Sequence, residues 1–163
     1  MRVMVAVAVL ALSGGCVGAS EGAPTTTRVP PSSTESTRVA DVALDTDPYD
    51  TVRNVYRGVA AKAPDEVCAR FTPEAAAQFA GAFEGESCDT VVVLLHHGLV
   101  TDPQAYADTT FGYFTADDGE VHTEIDSCEF EVRGGRRLGV FVLDRSASGT
   151  WQITAHRMEP CDR

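Results

Sequence analysis

The apolar residues of this chain change their spacing once, at about Tyr106. Before that point they recur every three or four positions, which is typical of amphipathic helices. After it they alternate with polar residues, which is typical of strands that bury one face. A block of helices followed by consecutive strands with short turns predicts an α+β domain that contains an antiparallel meander.

Four segments of the helical block begin at a proline or at a polar residue that can cap a helix. In chain order these starts are Asp47-Pro48, Pro64, Thr72-Pro73 and Ser87. The segment after Ser87 runs through residues 91–100 (VVVLLHHGLV), whose β-branched residues also fit a buried strand. The cap and the length of this segment favour a helix.

The second block predicts four strands, at residues 109–116, 120–132, 138–144 and 150–158. The third is apolar on both faces, which indicates a central position in the sheet. In the second, the apolar residues change parity, which predicts a β-bulge near Asp126-Ser127 and a strong bend. Helices packed in the concavity of such a curved antiparallel sheet form a cone-like pocket.

The N-terminal residues predict an export signal. Residues 3–12 are ten consecutive apolar residues behind Arg2, a run too short to span a membrane and typical of a secretory signal. The residues that follow, Ser13-Gly14-Gly15-Cys16, resemble the lipobox of bacterial lipoproteins. This resemblance implies cleavage before Cys16 and attachment of a diacylglycerol to its sulfur. Secretory cleavage after Ala19, which discards Cys16, and a cytosolic protein with an apolar start are the alternatives.

The chain has five cysteines, and the loss or lipidation of Cys16 leaves an even number. An exported domain folds in an oxidising compartment, so we expect two disulfides, for which three connectivities are possible. Pairing of nearest neighbours joins Cys68 to Cys88 and Cys128 to Cys161. A zinc site is the alternative, but no two of these cysteines have the short spacing typical of its ligands.

Composition divides the chain into three parts. Residues 1–15 are the predicted signal, residues 16–46 are a predicted lipidated cysteine followed by a disordered tether rich in Ser, Thr and Pro, and residues 47–163 are the predicted folded domain. The chain carries 24 acidic and 13 basic residues, a net charge of -11. A field of that sign repels phosphate backbones, so we expect no nucleic-acid partner.

The order of elements, with the terminal strand beginning at residues 149–154 (GTWQIT), resembles the nuclear transport factor 2-like, or SnoaL-like, superfamily. It is also similar to small exported lipoproteins of high-GC Gram-positive bacteria that use this fold. The resemblance covers about residues 48–158 and implies a cone of helices inside a curved sheet. The superfamily includes ketosteroid isomerase-like and cyclase-like enzymes as well as non-catalytic binding modules, so the fold alone does not decide the function.

A cone-type enzyme needs an acid or a base inside the pocket, beside a hydroxyl that can hold an oxyanion. Tyr56, Tyr106 and Tyr113 are the candidates for that hydroxyl, with a core position as the alternative for each. The predicted inward faces of the later strands offer no matching acid or base. We therefore predict no catalytic residue.

Two histidine-containing groups are further candidates. His122, Glu124 and Asp126 share one face of a predicted strand and could bind a cation or relay protons, but a solvated sheet face explains them better. By the same alternation His156 is predicted to face solvent, opposite Trp151 and Ile153. On the predicted fourth helix, His96 and His97 point about 100 degrees apart, so one should be half-buried and the other exposed.

We therefore expect an exported lipoprotein, anchored at the outer face of the cytoplasmic membrane, that needs neither metal nor cofactor. Its predicted role is a non-catalytic binding or accessory module for a protein or a small apolar ligand. One alternative is an extracytoplasmic isomerase or cyclase that uses a cavity inside the cone. Another is a lipid-free secreted protein.

Overall fold

The computed structural model of the protein describes residues 42–109 and 120–161. In these ranges helices precede an antiparallel sheet, as predicted for an α+β domain. The helices are α1 (Pro48–Ala61), α2 (Pro64–Cys68), α3 (Pro73–Ala82), α4 (Cys88–Gly98) and α5 (Pro103–Ala107). The strands are β1 (His122–Asp126), β2 (Val140–Arg145) and β3 (Trp151–Arg157). Most of the predicted strand at 109–116 lies outside the described residues.

The helices begin where the capping residues predict. The Asp47 carboxylate accepts hydrogen bonds from two backbone N–H groups of the first turn of α1. The hydroxyls of Thr72 and Ser87 each accept one such hydrogen bond, at α3 and α4. Residues 88–98 therefore form a helix, and the alternative of a buried strand is wrong. Asp102 caps α5, a short helix that the sequence analysis did not predict.

The sheet has the order β1-β2-β3, so the strand within the apolar run 138–144 is central, as predicted. The predicted second strand is too long, because β1 ends at Asp126 and the chain enters a 3-10 turn at Ser127–Glu129. The Asp126 carboxylate caps this turn by accepting a hydrogen bond from the Cys128 N–H at 2.8 Å. The β-bulge predicted near Asp126-Ser127 is therefore wrong, since a turn takes its place.

A bulge does occur, but in β3. Val142 pairs with Ala155 and Leu143 pairs with Ile153, which leaves Thr154 as an extra residue. An extra residue reverses the alternation of side chains beyond it. Trp151 and Ile153 are buried as predicted, but so is His156, with 5% of its surface exposed. The prediction that His156 faces solvent is therefore wrong, and the bulge is the reason.

The core lies between the helices and one face of the sheet. Its largest fully buried side chains come from α1, α3, α5 and all three strands, and include Tyr56, Phe79, Tyr106, Ile125, Phe141 and Trp151. The segment before α3 runs beside β3, where Ile153 accepts a hydrogen bond from the Thr72 N–H and donates one to the Arg70 carbonyl. This pairing covers part of an edge of the sheet that would otherwise be open.

Two disulfides fix the ends of these elements. Cys68 bonds to Cys88 with the Cα atoms 6.0 Å apart, and Cys128 bonds to Cys161 with the Cα atoms 5.4 Å apart. The nearest-neighbour pairing is therefore confirmed. The first disulfide joins the end of α2 to the start of α4, and the second joins the 3-10 turn to the chain after β3.

None of the helices in residues 42–109 and 120–161 is long and apolar enough to span a membrane.

Candidate functional site

The structure brings two of the three candidate tyrosines together. Tyr56 of α1 and Tyr106 of α5 are both buried, and their ring centroids are 5.0 Å apart. Their contact holds α5 against α1. Tyr113, the third candidate, lies outside the described residues.

The hydroxyls of this pair are engaged in hydrogen bonds to the backbone. The Tyr56 oxygen accepts from the Leu138 N–H at 3.1 Å and also makes a hydrogen bond with the Ser127 side chain. The Tyr106 hydroxyl donates to the Arg136 carbonyl at 2.7 Å. Burial raises the pKa of Tyr56 to about 12 and also raises the pKa of Tyr106. Both hydroxyls are therefore protonated at neutral pH. Tyr56 and Tyr106 are core residues whose hydroxyls have hydrogen-bond partners, which is the alternative that the sequence analysis gave for each.

His156 is the polar group that the sequence analysis misplaced. Its Nε2 atom lies 2.6 Å from the Leu138 carbonyl oxygen, and because a carbonyl only accepts, Nε2 carries the proton. The other nitrogen, Nδ1, is buried and has no hydrogen-bond partner in the described part of the chain. The rings of Phe79, Phe83 and Phe141 surround the imidazole, with centroids 5.0 to 6.2 Å away.

This enclosure determines the charge of the imidazole. Burial lowers the pKa of His156 to about 4, because the charged form would lose its hydration among phenylalanine rings. A proton on Nδ1 would also need an acceptor, and none of the described residues supplies one. His156 is therefore neutral at physiological pH.

One peptide segment links these groups. Leu138 donates its N–H to Tyr56 and accepts from His156, and the next N–H, that of Gly139, donates to the Ser127 Oγ atom at 2.9 Å. We call Tyr56, Ser127 and His156 the buried polar cluster. It joins α1, the 3-10 turn and β3 through the backbone at the start of β2. Sequence reasoning missed Ser127, which it assigned to a strand that continued to residue 132, and it misplaced His156, because the bulge in β3 was not predicted.

Replacement of Tyr56 tests this arrangement. Tyr56→Phe removes the acceptor of a buried N–H group, so we expect the free energy of unfolding to fall by about 1–2 kcal/mol. Tyr106→Phe is the matched control, since it frees a carbonyl of Arg136, an exposed residue, and should cost less. Urea denaturation of the oxidised proteins measures both changes. Equal losses in the two variants would contradict the role given to the Tyr56 hydroxyl.

The outer face of the sheet is solvated, as predicted for His122 and Glu124. The His122 Nδ1 atom lies 2.6 Å from an oxygen of Asp144, and Arg157 donates to Glu124 at 2.8 Å. Hydrogen bonds from His122 and Thr154 lower the pKa of the Asp144 carboxyl. Within residues 42–109 and 120–161, no three His, Cys, Asp or Glu side chains are grouped so that they could hold a metal ion.

The adjacent histidines of α4 also match their prediction. His96 is half-buried, and its Nδ1 atom lies 3.1 Å from the Val59 carbonyl oxygen, whereas His97 is exposed. Their rings meet edge to face with centroids 5.1 Å apart.

A surface groove is a further candidate. It lies between the end of α3, α4 and the loop before β2, and its volume is about 350 Å³. Its apolar lining residues are Ala82, Phe83, Leu94, Leu95 and Leu99, and its charged ones are Glu84 and Arg136. Leu94 is 53% exposed, which is unusual for a large aliphatic residue in this domain. We call this feature the α3–α4 groove.

Comparison with known proteins adds no relative to these observations: no protein-family model, no curated protein and no solved structure matches the chain. The resemblance to the nuclear transport factor 2-like superfamily therefore stays a prediction.

Proposed function

We propose that this protein is an exported lipoprotein whose folded domain acts as a non-catalytic binding module at the outer face of the cytoplasmic membrane. One observation carries the proposal: the two disulfides use four of the five cysteines, so that only Cys16 is left over. Disulfides of this kind persist in oxidising compartments outside the cytosol. The leftover cysteine lies directly after the apolar run and the small residues of the predicted lipobox.

Lipidation of Cys16 supplies a physical anchor. A diacylglycerol on the sulfur carries two acyl chains, and two chains hold a protein on a membrane far more stably than one does. The Ser, Thr and Pro content of residues 17–46 suits a spacer between that anchor and the domain. The rival form of the proposal is cleavage after Ala19, which discards Cys16 and gives a lipid-free secreted protein.

The packed interior supports binding rather than catalysis. An enzyme of the isomerase type would use a desolvated histidine and a tyrosine, and both His156 and Tyr56 are buried. Both side chains, however, are hydrogen-bonded to the backbone of Leu138, and phenylalanine rings surround the imidazole. The open apolar surface lies outside, at Leu94 in the α3–α4 groove.

We extend the proposal to the fold. The antiparallel order β1-β2-β3 with helices on one face supports a cone of the nuclear transport factor 2-like type. In this interpretation the cone is filled by its own aromatic and aliphatic side chains. The enzyme alternative requires a substrate to displace them.

Intact mass of the protein from its native membrane fraction tests the anchor. We expect a chain that begins at Cys16 and carries a diacylglycerol, and that gains about four hydrogens when the two disulfides are reduced. Cys16→Ser is the control: this variant should leave the membrane fraction and keep both disulfides. A lipid-free mass beginning near Ser20 would overturn the anchor and favour a diffusible secreted protein.

A further inference from the structure

The loop before β2 concentrates positive charge in an acidic protein. Its sequence at residues 133–137 is RGGRR, in a chain of net charge -11. Arg133 forms an ion pair with Glu131 at 3.2 Å, and Arg137 donates to a backbone carbonyl. Arg136 differs, because its guanidinium makes no ion pair and no hydrogen bond with any residue that the structure describes. A cation that has no partner among residues 42–109 and 120–161 is available to an external anion.

Arg136 is fixed at the rim of the α3–α4 groove. Its guanidinium carbon lies 5.9 Å from the centroid of the Phe83 ring, a cation–π contact that leaves the N–H groups available to a ligand. The floor beside it is aliphatic and comes from Leu94, Leu95 and Leu99 of α4 and the turn that follows. The groove therefore joins one cationic group to an apolar surface.

Contacts within the protein hold the loop in this geometry. The Tyr106 hydroxyl donates to the Arg136 carbonyl, the Thr101 N–H donates to the Gly134 carbonyl at 2.7 Å, and Gly135 pairs with the chain after α4. Gly134 has a φ of 71°, and a Cβ there would collide with the Asp102 carbonyl oxygen, so only glycine fits. A rim that is fixed in advance loses little freedom when a ligand binds.

We propose that the α3–α4 groove binds a long-chain fatty acid, with the carboxylate on Arg136 and the acyl chain along Leu94, Leu95 and Leu99. The proposal makes the binding role given above more specific. It rests on that role, because a protein anchored at a membrane surface is close to such ligands. A planar guanidinium matches a carboxylate through two parallel hydrogen bonds. The volume of the groove, about 350 Å³, lies in the range of small-molecule sites.

The charged residues of the groove favour a ligand with one negative charge over a ligand with two. Glu84 also lines the groove, and its carboxylate repels any anion that binds at Arg136. Glu84 and the acidic surface repel a carboxylate monoanion less than they repel a phosphate dianion. A fatty acid therefore fits the groove better than a phosphorylated ligand does.

The test is a fluorescence titration of residues 16–163 carrying Cys16→Ser, purified oxidised and without detergent, with cis-parinaric acid as the probe. We expect saturation at about one probe per chain, displacement by palmitate, and weak displacement by the neutral alcohol hexadecanol. Arg136→Gln should weaken binding at least about tenfold, because it removes a charge-assisted pair. Leu94→Gln should weaken it as well, and Glu84→Gln should strengthen it.

Arg133→Gln is the matched control, since it makes the same charge change in the same loop but outside the groove lining. It should leave the affinity unchanged, and urea denaturation should show that all the variants are folded. Equal affinity in the Arg136 and Arg133 variants, hexadecanol competing as well as palmitate, or no binding at all would overturn the proposal. The membrane anchor is tested separately by mass, so a failure of fatty-acid binding leaves that result unaffected.

Discussion

Acidification from pH 7 to pH 4 is expected to reduce the free energy of unfolding by up to about 3 kcal/mol through His156 alone. Its pKa is about 4 in the folded protein against 6.5 for an exposed histidine. Between pH 6.5 and pH 4 the imidazole of His156 is therefore largely protonated in the unfolded chain and largely neutral in the folded one. The stabilising effect of the neutral imidazole is complete above pH 6.5 and is lost as the pH falls to 4.

The surroundings of His156 explain the size of this effect. Phe79 and Phe83 from α3 and Phe141 from β2 cover the ring, and only 5% of the residue is exposed. Solvent therefore screens the charge little. The neighbouring guanidinium of Arg157 opposes protonation further.

Urea denaturation across this pH range, with two histidine variants, assigns the effect. His156→Phe should abolish the pH dependence between pH 5 and 6.5, although loss of the bond to the Leu138 carbonyl lowers its stability at pH 7. His97→Gln, which removes an exposed histidine, should retain it. The carboxyls of Glu124 and Asp144 have lowered pKa values and lose their stabilising effect at lower pH, near and below their unfolded values of 4.5 and 3.8. An unchanged pH dependence in His156→Phe would contradict the burial argument.

The helix starts were predictable because their signals are local. The hydrogen bonds of the Asp47, Thr72 and Ser87 caps span two or three residues, so the sequence contains the whole motif.

The disulfides were predictable only in part. Cysteine number and the predicted export signal indicate that two will form, but three connectivities are open until the tertiary structure selects one.

The site residues were harder to predict, because tertiary pairing positions them. The bulge at Thr154 depends on how β3 pairs with β2, and the apolar alternation of Trp151 and Ile153 continues past it without a break. The sequence therefore placed His156 on the wrong face. The α3–α4 groove is formed by three separate segments of the chain, and no spacing in the sequence predicts that they meet.

The domain also includes residues before the predicted start at position 47. The Asp45 carboxylate lies 3.3 Å from the Nε atom of Arg70 and accepts a hydrogen bond from the Asn54 side chain at 2.9 Å. Its carbonyl accepts from the Trp151 N–H at 2.8 Å, which connects the chain before α1 to the start of β3. The Arg70 side chain is only 8% exposed, so Asp45 neutralises a buried cation.

Removal of that carboxylate should therefore be costly. Asp45→Ala is expected to lower the free energy of unfolding by about 3 kcal/mol, because a buried guanidinium without its partner loses both hydration and charge compensation. In Asp45→Ala/Arg70→Met the cation is absent as well, and stability should return to within about 1 kcal/mol of the original chain. Urea denaturation of the two single variants and the double variant at pH 7 gives the coupling energy. Additive losses would show that Asp45 acts through its other contacts and that the ion pair contributes little.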